Sequence, residues 1–477
     1  MMNLKHPLIL KALVVGVLLA SGTFIFSSCG SSQRKESSTI SFKKPAFRVQ
    51  PYETKILPNG LTLIYVKDKT LPRVALKAMV KTGLRQEPKE KAGLNSLVAS
   101  LLSQGTNTRS AIQISDALNA MGTEFSVSAG GDAVMASADA LTPDAENLLD
   151  LFSEILMKPS FSVAEVRRLQ TQQIAALQKR IDNPGMYARV RFSEFLMIGT
   201  SYGRDAQGTV PTLRGIGQKD VIKYYLAHYR PGNTVIAVSG RFDRGFEQRV
   251  EQIFGGWVAR EIKPAGPQVF VTPEKTELKV VTKKDLAQTQ IMMGQVTVPR
   301  THPDHLALRL ANEALGGGFG ARLMQKIRDD LGLTYSVYSV VTANQSTGSF
   351  QISTFTKNPT VGKTVEETLK VVSSFIREGM TEKELNMAKA QILGQYPQDL
   401  ETADAVASTL MSLNLLGLPF EEISSYPRKI ERFTLAEVNR AVQTHLSPEK
   451  LKILVYTDRA ALGAQLDAMQ PVFEVAK

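Results

Sequence analysis

The sequence predicts an α+β protein of two homologous domains, each a largely antiparallel sheet packed with helices, facing each other across a linker. Three observations carry that prediction. The 477 residues exceed what one core organises and suit two domains of roughly 200 residues each. Two stretches recur: Met121-Gly122-Thr123-Glu124-Phe125-Ser126-Val127-Ser128 aligns without gaps with Leu331-Gly332-Leu333-Thr334-Tyr335-Ser336-Val337-Tyr338. Val221, His228, Pro231 and Val238 return as Val438, His445, Pro448 and Val455 at one constant spacing. Two ordered matches at nearly the same spacing point to an internal duplication. Within each copy, strand patterns and helical patterns mix without regular βαβ alternation, which favours helices packed on an antiparallel sheet.

The elements follow in chain order. Residues 52–57, the turn Pro58-Asn59-Gly60 and residues 61–66 read as a hairpin, and 74–80 alternates as a further strand. Helical spacing of apolar residues runs through 92–104, 111–121, 143–156, 163–181 and 218–228. Residues 259–275 contain Pro264, Gly266, Pro267 and Pro273 and read as an extended linker between domains at 51–258 and 276–472. The second domain repeats the order, with strands near 277–283 and 288–296 and helices near 303–315, 321–331, 361–377, 381–396 and 435–445.

Composition excludes several classes. With 43% hydrophobic and 21% charged residues, the chain is neither disordered nor collagen-like. A single Cys excludes an internal disulfide framework, a Cys-rich zinc site and an iron–sulfur cluster. The formal charge of +12 permits an acidic partner but identifies none, and no nucleic-acid partner is expected.

Residues 1–28 read as a signal peptide. Lys5 and Lys11 precede an apolar run over 12–26 that is short for a membrane span. Phe26-Ser27-Ser28-Cys29-Gly30 resembles a bacterial lipobox, with Phe26 where that pattern prefers Leu. On that reading Cys29 is the lipidated first residue of the mature chain and anchors it to a membrane. Gly30 resembles the outer-membrane sorting pattern, which places the protein in the cell envelope, on the periplasmic face of the outer membrane. Residues 29–50 form a polar, Ser-rich tether. A plain secretory signal with an incidental Cys is the alternative.

Glu87-Pro88 and the run from Ala92 to Thr106 resemble the first helix of the insulinase-like zinc peptidases, the pitrilysin or M16 family. The resemblance continues through Pro159-Ser160-Phe161, Asp182-Asn183-Pro184, Ser201-Tyr202-Gly203 and Tyr229-Arg230-Pro231-Gly232-Asn233. In the second copy it takes in Leu315-Gly316-Gly317-Gly318-Phe319 and Arg328 through Tyr335, so that it covers about residues 50–470.

Catalytic members of that family carry His-x-x-Glu-His on this helix. Two His one turn apart bind zinc and the Glu activates the bound water. The corresponding residues here are Ser96, Ala99 and Ser100, and the family's third ligand, a Glu in a later helix, falls at Ala176. Leu94, Leu97, Val98, Leu101 and Leu102 nevertheless keep one apolar helix face. The helix is retained and the metal chemistry is lost. Neither Ser96 nor Ser100 has an evident base beside it, as a nucleophile would need. His302-Pro303-Asp304-His305 reads as a helix start rather than a metal site, and His228 and His445 as structural residues at helix ends.

The second copy carries Gly316-Gly317-Gly318-Phe319-Gly320. It lacks the Lys-Ser/Thr of a P-loop and follows a helical pattern, so it reads as a tight bend where two backbones approach. The family resemblance gives Arg328 and Tyr335 a role: an Arg and a Tyr spaced in this way bind the substrate backbone and steady the developing oxyanion. The aligned residues of the first copy are Leu118 and Phe125.

Some bacterial members of the family resemble split enzymes, in which one subunit bears zinc and the other keeps only the Arg/Tyr pair. The resemblance therefore implies a non-catalytic, substrate-binding subunit that binds no cofactor itself. Its partner is expected to be a zinc-bearing subunit with the His-x-x-Glu-His motif, and its substrate a peptide. A structural or assembly subunit and a stand-alone peptide-binding lipoprotein are the alternatives.

Overall fold

The computed structural model describes residues 48–262, 266, 268–271 and 273–476. The expected signal peptide, Cys29, nearly all of the tether, Pro264 and Pro267 lie outside the described residues. The described residues of 259–275 contain no helix or strand. No helix among the described residues is long and apolar enough to cross a membrane.

The first sheet consists of β1 (Glu53–Ile56), β2 (Thr62–Lys67), β3 (Arg73–Val80), β4 (Ser126–Ala129), β5 (Val134–Leu141) and β6 (Thr234–Gly240). Their order across the sheet is β1-β2-β6-β3-β5-β4, and only β2–β6 is parallel. The second sheet consists of β7 (Glu277–Thr282), β8 (Gln288–Thr297), β9 (Val337–Ala343), β10 (Gly348–Lys357), β11 (Lys452–Thr457) and β12 (Val472–Val475). Its order is β12-β7-β11-β8-β10-β9, with β7 parallel to both β11 and β12.

Five strands therefore repeat in the same order, β2-β6-β3-β5-β4 against β7-β11-β8-β10-β9. The sixth does not. In the first sheet it is the near arm of a hairpin, in the second a parallel strand from the far end of the chain. The hairpin closes where expected: Gly60 takes φ +87°, which favours glycine, and the Asn59 amide bonds the Phe254 carbonyl at 2.8 Å.

The first copy's helices are α1 (Leu94–Leu101), α2 (Ala111–Ala120), α3 (Ala145–Met157), α4 (Val163–Lys179), α5 (Pro184–Leu196), α6 (Val210–Arg214), α7 (Gln218–His228) and α8 (Arg244–Gly255). The second has α9 (His305–Asn312), α10 (Val361–Glu378), α11 (Glu382–Asp399), α12 (Ala403–Leu415), α13 (Glu422–Arg432), α14 (Leu435–His445) and α15 (Arg459–Leu462). The expected helices 303–315 and 321–331 are partly π-helical, at Glu313–Gly317 and Met324–Asp330. Such wide turns are frequent at functional sites.

Each sheet has one face covered by helices of its own copy and the other by a single helix of the opposite copy. Ala403, Val406, Ala407, Leu410 and Met411 of α12 pack on Ile64, Val66, Met79, Val235 and Ala237 of the first sheet. Reciprocally, Tyr187, Ala188, Phe192 and Leu196 of α5 pack on Val281, Met292, Leu454 and Tyr456 of the second. Burial on both faces explains why β6 and β11 are apolar almost throughout. Lys77 Nζ to Asp404 Oδ2 at 2.7 Å and Lys452 Nζ to the Phe195 carbonyl at 2.9 Å tie the exchanged helices at their rims. The two copies thus share their cores, beyond being joined by a linker. The start of α5 lies at Asn183-Pro184, a pair that suggests a turn. In the fold Asn183 caps the helix through a 3.1 Å bond from Met186 N, and Pro184 occupies the first helical position.

Candidate functional site

The site is built on two helices of the first copy and one glycine-rich segment of the second. Helix α1 starts at Gly93, whose φ of +93° suits only glycine, and a Cβ there would lie 2.7 Å from the Gln207 carbonyl. Behind it the buried Glu87 carboxylate accepts the Asn95 N–H at 2.6 Å, meeting one of the helix's unsatisfied donors. Burial raises the Glu87 pKa to about 7, against the pull of the helix N–H groups and Arg204. Leu94, Leu97, Val98, Leu101 and Leu102 are buried in the first copy's core, which fixes the rotation of α1.

That rotation settles where the metal positions point. Ser96 is 4% exposed and Ala99 2%, whereas Ser100 is exposed. The Ser96 hydroxyl donates to the Ala206 carbonyl at 2.7 Å and accepts from Gln207 Nε2 at 3.4 Å. The Ser100 hydroxyl turns back to the Ser96 carbonyl at 3.0 Å. Among the described residues no His or carboxylate bonds either hydroxyl, so neither is set up as a nucleophile. Ala176 is an exposed residue of α4. One turn earlier on α4, Gln173 Nε2 donates to the Gln207 carbonyl at 2.9 Å and to the Gly93 carbonyl at 3.4 Å. An amide therefore ties α4 to α1. Two hydroxyls and two methyl groups do not make a zinc site, because neither imidazole nor carboxylate is offered.

One group of potential metal ligands does come together elsewhere: His302, Asp304 and His445. The sequence pairs His302 with His305, but the fold buries His305 at the start of α9 and brings His445 in from the end of α14. Asp304 is already engaged by Arg440 Nη2 at 2.6 Å and His445 Nε2 at 2.9 Å, and its N–H donates to His302 Nδ1 at 3.1 Å. A guanidinium on the one carboxylate opposes a second cation, and the group reads as a brace between two helices.

In the second copy, Gly316 has no room for a side chain: a Cβ would lie 2.5 Å from Ser339 Oγ on β9. This is the close backbone approach that the glycine run suggests. Beyond it Phe319 stands 74% exposed, with the Arg328 guanidinium 4.6 Å from its ring centre. Arg328 lies in the π-helical stretch, and its Nε approaches Asp329 at 3.7 Å. Tyr335 is 81% exposed, and among the described residues its hydroxyl makes no hydrogen bond. Arg328 and Tyr335 make no hydrogen bond or ion pair with the first copy among the described residues. A cation and a phenol are thus held on a glycine-bounded surface segment, with donors free for an incoming carbonyl. Phe319 was not singled out by the sequence. An aromatic between glycines was the available signal.

Two family descriptions match the chain: "Insulinase (Peptidase family M16)" over residues 62–189 and "Peptidase M16 inactive domain" over residues 215–392. An uncharacterized zinc protease of Mycobacterium tuberculosis is 27% identical, covering 89% of this chain and 98% of its own. A protein of Helicobacter pylori named a non-peptidase homolog is 26% identical, covering 83% of this chain and 92% of its own. The crystal structure of a peptidase M16 inactive domain from Pseudomonas fluorescens superimposes with a TM-score of 0.80 at 25% identity, over 86% of this chain and 98% of that one.

Proposed function

We propose, because the chain belongs to the insulinase-like M16 peptidase family and carries no metal-binding side chain at its first helix, that it is the non-catalytic, substrate-binding subunit of a heteromeric zinc metallopeptidase. The observation that carries this reading is an asymmetry. Ser96, Ala99, Ser100 and Ala176 offer no zinc ligand set, while Arg328 and Tyr335 stand ready on the surface with unspent donors. A chain that had lost all peptidase-related function would have no need to keep a cation and a phenol there.

In this reading the partner is an M16 subunit with an intact His-x-x-Glu-His motif and holds the zinc. The substrate is a peptide. The Arg328 guanidinium and Tyr335 hydroxyl donate to backbone carbonyl oxygens next to the bond being cut. Their effect is largest if they aim at the oxygen that gains charge in the transition state. Phe319 limits the motion of Arg328 by lying against its guanidinium. A lipid on Cys29 would keep the complex at the periplasmic face of the outer membrane.

The test is reconstitution. Adding this chain to the zinc-bearing partner should raise peptide hydrolysis. Arg328→Ala and Tyr335→Phe should each lower that gain about 10²-fold, with the complex still forming on a sizing column. Variants that match wild type in an intact complex would remove the substrate-binding role and leave an assembly subunit.

A further inference from the structure

Helix α9 holds in the second copy the place that α1 holds in the first, and α11 the place of α4. The cleft there is open. A cavity of about 430 Å³ lies between α9, the wide turn that follows it, and helices α11, α12 and α13. That size is within the range of small-molecule pockets. Its walls combine apolar faces, among them Leu400, Leu413 and the rings of Tyr396 and Tyr426, with opposed charges.

Among the described residues, two partly buried charges of those walls, Arg309 and Glu313, lack ionic partners, as does the exposed Asp399. Arg309 and Glu313 are four residues apart and share a helix face. Among the described residues neither forms an ion pair within 4.0 Å. Arg309 Nη1 donates to the Tyr426 hydroxyl at 2.9 Å, leaving most of its donors unused. Glu313 is half-buried, and burial raises its pKa against the opposing field of Arg309. Of the other charges, the buried Glu422 takes Arg300 Nη2 at 3.3 Å and also binds Lys429, and the exposed Asp399 accepts from Gln395 Nε2 at 3.1 Å. A partly desolvated cation and anion that do not meet each other are costly, and a ligand carrying both opposite charges offsets both costs at once.

We propose that this cavity binds a small zwitterion with an apolar side chain, a free α-amino acid or a short peptide. Its carboxylate lies on Arg309, its ammonium group on Glu313, and its side chain against the Leu413 and Tyr396 wall. Gly317 lines the same cavity, two residues from Phe319, so the occupied site abuts the glycine-rich segment. Such binding needs this chain alone and is separate from the role of Arg328 and Tyr335.

Calorimetric titration of the full chain tests it with three probes: L-leucine, leucyl-leucine and N-acetyl-L-leucinamide, which has neither charge. Saturable binding of L-leucine or leucyl-leucine is expected, and which of the two binds more tightly distinguishes amino acid from peptide. N-acetyl-L-leucinamide should bind at least about tenfold more weakly, as should both zwitterions to Glu313→Gln and Arg309→Gln. Circular dichroism melts identify any variant that fails to fold, and the other then decides. No binding of either zwitterion up to about 10 mM would overturn the proposal, as would binding indifferent to both substitutions in folded protein.

Discussion

In the first copy, α1 lies with Ser96 and Ala99 buried, one hydroxyl bonded to the Ala206 carbonyl and the amide of Gln173 bridging from α4. In the second, α9 stands at the same station with Arg309 facing an open cavity and a glycine-rich segment at its end. The surrounding sheets are alike strand for strand across five positions. The difference lies in the side chains at the two stations: small and buried on α1, long and charged on α9.

The largest effect is expected at the core that both copies share. Phe192 of α5 is fully buried against the second sheet. Phe192→Ala should cost about 3–5 kcal/mol in urea unfolding, and fluorescence and circular dichroism should still report one coincident transition. Two separated transitions would mean that the copies fold independently, despite their exchanged helices.

Next in size is the closed cleft. Ala99→Glu puts a carboxylate at a buried position in the first copy's apolar core, and should destabilise the chain by about 3 kcal/mol. Ser100→His, on the exposed side of the same helix, should stay within about 0.5 kcal/mol. Equal melting of both variants would show that the cleft at Ala99 is still open.

The fold class was legible because duplication, hairpin chemistry and helical spacing are local signals. The Pro58-Asn59-Gly60 turn and the α1 face needed nothing from elsewhere in the chain. The exchange of α5 and α12 was not legible. Nothing in the spacing of Tyr187, Phe192 and Leu196 says which sheet they cover, and the capping pair Asn183-Pro184 imitates a turn. In the site, the missing zinc ligands could be read by identity alone. The contacts of Ser96 with Ala206 and Gln207, and of Arg328 with Phe319, depend on loops whose path only the packed structure fixes. The triad of His302, Asp304 and His445 likewise joins residues from opposite ends of the second copy.

An effect of at most similar size, confined to a pH window, sits at the start of α1. The Glu87 pKa, about 7 in the fold, lies above that of an ordinary Glu. Its neutral form therefore favours the folded state. That contribution is complete below about pH 4.5 and is lost as pH rises through about 7. Glu87→Gln stays neutral and keeps an acceptor for Asn95. Relative to wild type it should gain up to about 3 kcal/mol between pH 5 and 8 in urea titrations. Parallel pH profiles would place the Glu87 titration in the ordinary range. Smallest of all, Tyr335→Phe at the exposed Tyr335 and Arg328→Ala, whose guanidinium rests on exposed Phe319 and Asp329, should leave stability within about 0.5 kcal/mol.

The M16 scaffold of this chain offers no zinc ligand at Ser96, Ala99, Ser100 or Ala176. The most direct measurement is the zinc content and peptide hydrolysis of the purified chain by itself, after equilibration with zinc and removal of the excess. The expected result is well under one zinc per chain and no cleavage above the buffer rate. One tightly held zinc per chain, with hydrolysis that a chelator abolishes and zinc restores, would contradict it.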